Sequence, residues 1–197
     1  MEDPCFERLV TPRLTLRRFA ATDAEAFAAY RDDPDVARYQ SWELPYTLVE
    51  AKRFIDSQAT ASPGAPGRRF QFAVDLEASA TLVGDCALCC MRHELPEAEL
   101  GFSFAKSEQR RGYASEAIAA ILRYAFTTLS LRRVFACTDT RNEAAQCLLE
   151  RHGFRREEQP CEAPWFRGEG AGGILYAQLR SEWLEVVGAE MPAGGKP

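Results

Sequence analysis

Glu99-Leu100-Gly101-Phe102-Ser103-Phe104-Ala105-Lys106-Ser107-Glu108-Gln109-Arg110-Arg111-Gly112-Tyr113-Ala114-Ser115-Glu116-Ala117 reads as a strand, an arginine-rich turn and the start of a long helix. Phe102 and Phe104 alternate with Gly101, Ser103 and Ala105, the period-two pattern of a strand. From Gly112 onward Ile118, Ile121, Leu122, Ala125, Phe126 and Leu129 recur at three- and four-residue intervals. They form one buried helical stripe, with Arg123, Tyr124 and Thr127 expected on the opposite face.

The junction between strand and helix carries the chemistry. The first N–H groups of a helix lack partners within it and sit at the positive end of its dipole, so such a place suits phosphate. Gly112 admits unusual dihedrals and close backbone approach, Ala114 leaves the first turn uncluttered, and Arg110 and Arg111 add full charges. The spacing Gln109-x-x-Gly112-x-Ala114 is therefore a physically sensible diphosphate cradle. Read blandly, the same residues are a solvated loop ahead of a helix, because short patterns also match by chance.

At 197 residues and 22.0 kDa the chain suits one domain with a real core. That domain is expected over residues 1–187, with 188–197 a frayed tail. Apolar content of 46% with 27% charged residues is ordinary for a soluble protein, and no apolar run approaches membrane-spanning length. The opening Met1-Glu2-Asp3-Pro4-Cys5-Phe6 has no apolar core of a signal peptide, which points to the cytoplasm. A net charge of -5 argues against a nucleic-acid partner and suits a cationic acceptor such as an amine. Seven cysteines scattered through apparent core segments predict free thiols and no disulfide.

Working outward, residues 12–19 alternate Leu14 and Leu16 against Arg13, Thr15 and Arg17, a half-buried strand. Thr22-Asp23-Ala24-Glu25 reads as a capping box opening a helix to about Arg31. Asp32-Asp33-Pro34-Asp35 ends it in an acidic turn. An aromatic link, 39–46, leads to a second capping box, Thr47 to Glu50, whose helix runs through Ala59 and turns Ala51, Phe54 and Ile55 inward. After a Gly/Pro loop at 62–67, strands are predicted at 70–74 and 81–91, making a meander with 99–105. Beyond the long helix come a strand at 132–138, a short helix from Asn142 to His152 closed by Gly153, and a strand from Phe154 to Glu158. A loop or hairpin over 161–173 and a strand over 174–179 follow, running into Arg180-Ser181-Glu182-Trp183.

Cys86-x-x-Cys89-Cys90-x-x-His93 suggests zinc, yet residues three apart on a strand point to opposite faces, so no metal is expected. His93 and His152, the only histidines, stand in no recognisable nucleophile triad, and His152 in the last turn of a helix suits its dipole.

Glu99-Leu100-Gly101-Phe102 followed by Gln109-Arg110-Arg111-Gly112-Tyr113-Ala114-Ser115-Glu116-Ala117 resembles the core of the GNAT superfamily of acetyl-coenzyme A-dependent N-acetyltransferases, nearest its ribosomal-protein N-terminal branch. The resemblance covers about residues 12–183. It implies an α/β (α+β) fold with a mixed, splayed central sheet of about seven strands flanked by about four helices. It implies acetyl-CoA as acetyl donor, held by the main chain of Phe102 and Phe104 in the splay. Gln109, Arg110, Arg111, Gly112, Tyr113, Ala114 and Ser115 would take the diphosphate, and Asn142 the pantetheine arm. Asn142 is equally well explained as a helix cap. The first two helices and their link would wall the acceptor cleft, making Trp42 and Glu43 candidates for substrate binding. Trp42 and Tyr46 also suit plain stapling of the loop to the core.

Acetyl transfer to an amine needs a neutral nitrogen, so a base must take the ammonium proton. Glu99 shares a strand face with Gly101 and Ser103 and is the candidate catalytic base, with Glu94 and Glu97 as substitutes. Backbone N–H groups near Phe102 to Phe104 would hold the developing oxyanion. Where relatives place a hydroxyl to protonate the leaving thiolate, Ala145 and Leu149 stand here, leaving the general acid unassigned. Three functions remain open. One is acetylation of a protein N-terminus or small amine. The second is an aminoglycoside- or polyamine-type activity, which acidic Asp32, Asp33, Asp35 and Glu43 would suit equally. The third is a catalytically idle acyl-CoA sensor. A monomer or homodimer is expected, with no nucleic acid and no membrane as partner.

Overall fold

The computed structural model describes residues 2–91, 96–161 and 172–190. Eight strands lie among them: β1 (Arg8–Val10), β2 (Leu14–Arg18), β3 (Arg69–Leu76), β4 (Leu82–Cys90), β5 (Glu97–Phe104), β6 (Arg133–Asp139), β7 (Arg155–Cys161) and β8 (Gly173–Leu179). Six helices accompany them: α1 (Ala24–Arg31), α2 (Pro34–Ala37), α3 (Leu48–Gln58), α4 (Tyr113–Thr127), α5 (Glu143–Arg151) and α6 (Arg180–Glu190). The strands form one sheet in the order β1-β2-β3-β4-β5-β6-β8-β7. All pairs are antiparallel except β5 with β6, which are parallel.

Side-chain alternation assigns the two faces. Leu14 and Leu16 of β2, Phe70, Phe72 and Val74 of β3, Cys86 and Leu88 of β4 and Leu100 and Phe104 of β5 join Ile118, Ile121, Leu122 and Phe126 of α4 in the main core. Their neighbours in sequence, among them Arg17, Gln71, Asp75, Asp85, Glu99 and Ser103, therefore face the side covered by α1 to α3. There a second core gathers Phe27, Tyr30, Val36, Tyr46, Ala51 and Ile55. At its centre Arg31 is buried with Asp85, 3.4 Å away, and lies over the rings of Trp42 and Phe27 at 4.0 and 4.2 Å. Tyr30 and Gln71 also donate to the Asp85 carboxylate, so a buried charge is compensated on several sides, as it must be to persist in an apolar setting.

Several expectations need correction. The first helix is not capped by Thr22: a 3-10 turn over Ala21–Asp23 leads into it, and the Asp23 carboxylate accepts from the Ala20 N–H at 2.7 Å while pairing with Arg17. The acidic turn at 32–35 opens the short helix α2, with Asp33 as its cap and Pro34 at its first position, where a missing N–H costs nothing. Tyr124 is buried, because the N-terminal segment folds over α4: its hydroxyl donates to Asp3 at 2.6 Å and its ring lies 5.5 Å from Phe6. A disulfide joins Cys137 of β6 and Cys161 of β7, against the expectation of free thiols throughout. Scattered spacing hides such a pair, since β8 lies between these two strands in the sheet and nothing in the cysteine pattern encodes their meeting. Helix α6 runs over Arg180–Glu190, and 191–197 lie outside the described residues. His93, Glu94 and most of the 161–173 loop also lie outside them. Among the described residues no helix is long and apolar enough to cross a membrane, and no three His, Cys, Asp or Glu side chains gather as a metal site.

Candidate active site

Strands β5 and β6 pair over only three residues, Glu97 with Arg133, Ala98 with Val134 and Glu99 with Phe135, and then part. A cavity of 130 Å3 opens where they separate. Its lining combines Glu99 and Gly101 from the α1 side of the sheet with Leu100, Phe102, Ala136, Ala145 and Leu149 from the α4 side. It therefore passes through the sheet. Tyr39, Gln40 and Ser41 close it from the link after α2, Asn142 from the start of α5, and Arg69 from the start of β3.

The main chain of β5 is aimed into the gap. Ala105 donates its N–H to Val83 of β4, so residues one step away, Phe104 and then Phe102, direct theirs to the opposite side. Among the described residues their carbonyls are reached by side chains alone: Gln40 Nε2 donates to Phe102 O at 3.4 Å and Gln109 Nε2 to Phe104 O at 3.0 Å. A strand edge presented this way is a template for any extended group carrying amides.

The turn after β5 has the shape expected of an anion cradle. Arg110 and Gly112 both have left-handed φ, +61° and +80°, a conformation that costs a non-glycine residue energy and tends to persist where function demands it. Gly112 caps α4 with its backbone alone, no side chain accepting from the first amides. A Cβ there would meet only Arg13 Nη2, at 3.3 Å. Arg13, just ahead of β2, braces the turn, pairing with Glu116 at 2.6 Å, donating to the Arg111 carbonyl at 3.0 Å and lying 4.8 Å from the Tyr113 ring. Burial alone would raise the Glu116 pKa, but hydrogen bonds from Thr11 and Arg13 outweigh it and hold the carboxyl below its ordinary range. Arg111 pairs with Glu108 at 3.4 Å. Ser115 in the first turn of α4 shares a hydrogen bond of 2.8 Å with His152 Nε2, and burial pushes the His152 pKa down. Ala114 and Tyr113 pack against the main core.

Glu99 is partly buried within the cavity wall, and desolvation raises its pKa although the Arg69 charge acts to lower it. A carboxyl tuned upward is the state a base for an amine requires. Asn142 caps α5 by accepting from the Ala145 N–H at 3.2 Å while also lining the cavity. Ala145 and Leu149 are buried in the same wall and offer no proton. Trp42 lies elsewhere: its indole N–H donates to the Arg31 carbonyl at 3.0 Å, and with Glu43 it borders a separate shallow depression. Of the other acidic candidates, Asp32 accepts from the Tyr46 N–H, Asp33 caps α2, and Asp35 pairs with Lys106. Sequence reasoning missed Arg69, Tyr39, Gln40 and Ser41. Only the strand register, which sets Arg69 opposite Cys89 and Cys89 opposite Glu99, brings the arginine into place.

The model of the acetyltransferase (GNAT) domain matches residues 13–155. The chain belongs to the GNAT acetyltransferase family. An uncharacterized N-acetyltransferase of Bacillus licheniformis, p20, is 30% identical over 177 residues, 90% of this chain and 98% of its own. A Bacillus subtilis protein, YdaF, which bears a provisional name as a ribosomal N-acetyltransferase, is 32% identical over 180 residues, 88% of this chain and 95% of its own. The crystal structure of a Vibrio cholerae spermidine N-acetyltransferase in complex with CoA and spermine superposes with a TM-score of 0.75 at 22% identity, covering 88% of this chain and 99% of that one. This acetyltransferase is thus an acyltransferase with the mixed, splayed sheet expected. It has one more strand than expected, β1, and extra helical segments in α2 and α6.

Proposed function

We propose that the protein transfers the acetyl group of acetyl-CoA to a primary amine by direct attack, within one acetyltransferase domain. The parting of β5 and β6 after Glu99 carries the reading, since it leaves a through-going cavity with strand amides on its rim and a carboxyl in its wall. The residues present fit the donor substrate. The pantetheine arm takes the place of a strand against Phe102 and Phe104, displacing the Gln40 and Gln109 side chains from those carbonyls. The diphosphate rests on the open amides beyond Gly112 with Arg110 and Arg111 beside it, and the Asn142 amide reaches the arm across the gap.

Glu99 accepts the ammonium proton, directly or through a water, freeing the nitrogen lone pair to form the N–C bond. A backbone N–H of Phe102 or Phe104 holds the charge that develops on the acyl oxygen. The C–S bond then breaks. A thiol with a pKa near 8.5 leaves tolerably as thiolate at neutral pH, so Ala145 and Leu149 are compatible with turnover. No covalent bond to the enzyme is needed.

The test is an acetylation screen of peptides and small amines with thiol release as readout, run beside Glu99→Gln. Acetylated product with wild type, reduced by about a hundredfold or more in the variant, is the expected result. A wild-type chain that binds acetyl-CoA yet acetylates no amine would leave a sensor as the surviving reading.

A further inference from the structure

Arg69 and Glu99 are the charged residues of the cavity lining, which is otherwise neutral. They stand on one rung of the sheet: Arg69 opposite Cys89, and Cys89 opposite Glu99. Directly opposed residues share a face, so both side chains belong to the α1 side, where the acceptor would enter. Neighbouring strands are spaced about 4.8 Å, which places the two Cα atoms about 10 Å apart. Between them on that face stands only the small side chain of Cys89. Gly101, next along the strand from Glu99 on the same face, has no side chain, and a Cβ added to it would meet only Ala87 Cβ at 3.7 Å.

Charge accounting on this face singles Arg69 out. Arg17 is committed to Asp23 and Asp75, and Arg31 to Asp85. Among the described residues Arg69 has no such partner, and it is exposed. It is close enough for its charge to act on Glu99 without forming an ion pair with it. The opening between the two is room for a ligand that carries both charges.

We propose that the acceptor bears a carboxylate a few bonds from its amine, with Arg69 binding the carboxylate while the amine meets Glu99. This deepens the acetyl-transfer reading above and rests on it. An arginine fork accepts a carboxylate through two parallel hydrogen bonds, fixing direction as well as charge. Two sources supply that chemistry: a free α-amino acid, and a peptide whose first residue is acidic. A polyamine does not, because its second positive charge would be set against Arg69.

The experiment uses the full chain with acetyl-CoA and two acceptor pairs. One pair is a tetrapeptide beginning with Glu and the same peptide beginning with Gln. The other is free alanine and alaninamide, compared per neutral amine. Wild type is expected to favour the carboxylate-bearing member of one pair by about tenfold to a hundredfold in kcat/KM, the range of one charge-assisted contact. The favoured pair identifies the source. Arg69→Gln should bring that ratio close to one through a higher KM for the acidic member, and Arg69→Lys should keep part of it. A wild-type ratio near one in both pairs, or a preference that survives Arg69→Gln, overturns the proposal while leaving acetyl transfer intact. If wild type acetylates neither the charged nor the neutral members, nor any amine of the broader screen, the acetyl-transfer reading itself falls and this inference with it.

Discussion

Gly112→Asp is the sharpest perturbation of the donor site. At φ +80° the position is left-handed, which costs an ordinary L-residue about 1–2 kcal/mol, with Asp among the better tolerated. The added Cβ meets only the mobile end of Arg13, at 3.3 Å, so the fold should survive with a loss of about 1 kcal/mol. For a chain of this size that lowers Tm by about 2–4 °C. Binding should suffer far more. A carboxylate placed over the open amides of α4 confronts a diphosphate at close range, a repulsion of about 2–4 kcal/mol between the limits set by water and a protein surface. That corresponds to roughly 30- to 1000-fold in Kd. Titration calorimetry with CoA, paired with thermal shift in its presence and absence, separates the two effects. Wild type should gain stability from CoA by mass action, and Gly112→Asp should gain little at the same concentration. Gly112→Asn, which tolerates the same backbone without the charge, should bind between them. A Gly112→Asp protein that is folded and binds CoA as tightly as wild type would refute the cradle.

Other predictions follow from the same geometry. The log of kcat/KM should rise with pH through an inflection above the ordinary carboxylate range, because desolvation raises the Glu99 pKa; an inflection at an unperturbed value would remove Glu99 as base. Since the folded state prefers neutral Glu99, its contribution to stability falls as pH rises from the unfolded value toward the folded one, so Glu99→Gln should raise Tm at neutral pH and lose that gain in acid. His152 has the opposite linkage: burial lowers its pKa, so stability should drop as pH falls below its unfolded value near 6.5, and His152→Gln should flatten that part of the curve. The Cys137–Cys161 bond closes a loop with a sequence separation of 24, worth about 3 kcal/mol of stability. Reduction, or Cys161→Ser, should cost about 6–12 °C in Tm. Alkylation of the unreduced, unfolded chain should find Cys5, Cys86, Cys89, Cys90 and Cys147 free.

What could be foreseen from residues alone follows the range of the forces concerned. The capping box at Thr47 and Glu50 and the glycine closing α5 are local, and both stand where the pattern placed them. The stripe of α4 likewise matches the buried side of that helix. Its one misassigned member, Tyr124, is buried by Asp3 and Phe6, residues more than a hundred positions away in the chain. At the start of α1 the neighbour takes the part expected of Thr22: the Asp23 carboxylate accepts from the Ala20 N–H and pairs with Arg17. That Glu99, Phe102 and Asn142 meet at one place was legible because one strand and one cap position them, and all three line the cavity. Arg69 was not, because its role depends on a register across three strands. Trp42 was visible as a large aromatic in the right segment, but its occupation by Arg31 depends on a buried ion pair with Asp85, which periodicity does not encode.

The seam between β5 and β6 has a mechanical meaning as well. Three residue pairs are a slender hinge between one half of the sheet, β1 to β5, and the other, β6 to β8. A donor seated in the crevice, as proposed above, would bridge the halves the way a missing strand would and lend the sheet part of its cohesion. The unoccupied molecule should then breathe at this line before it melts anywhere else, and each catalytic cycle would tighten and loosen the sheet as the donor arrives and departs.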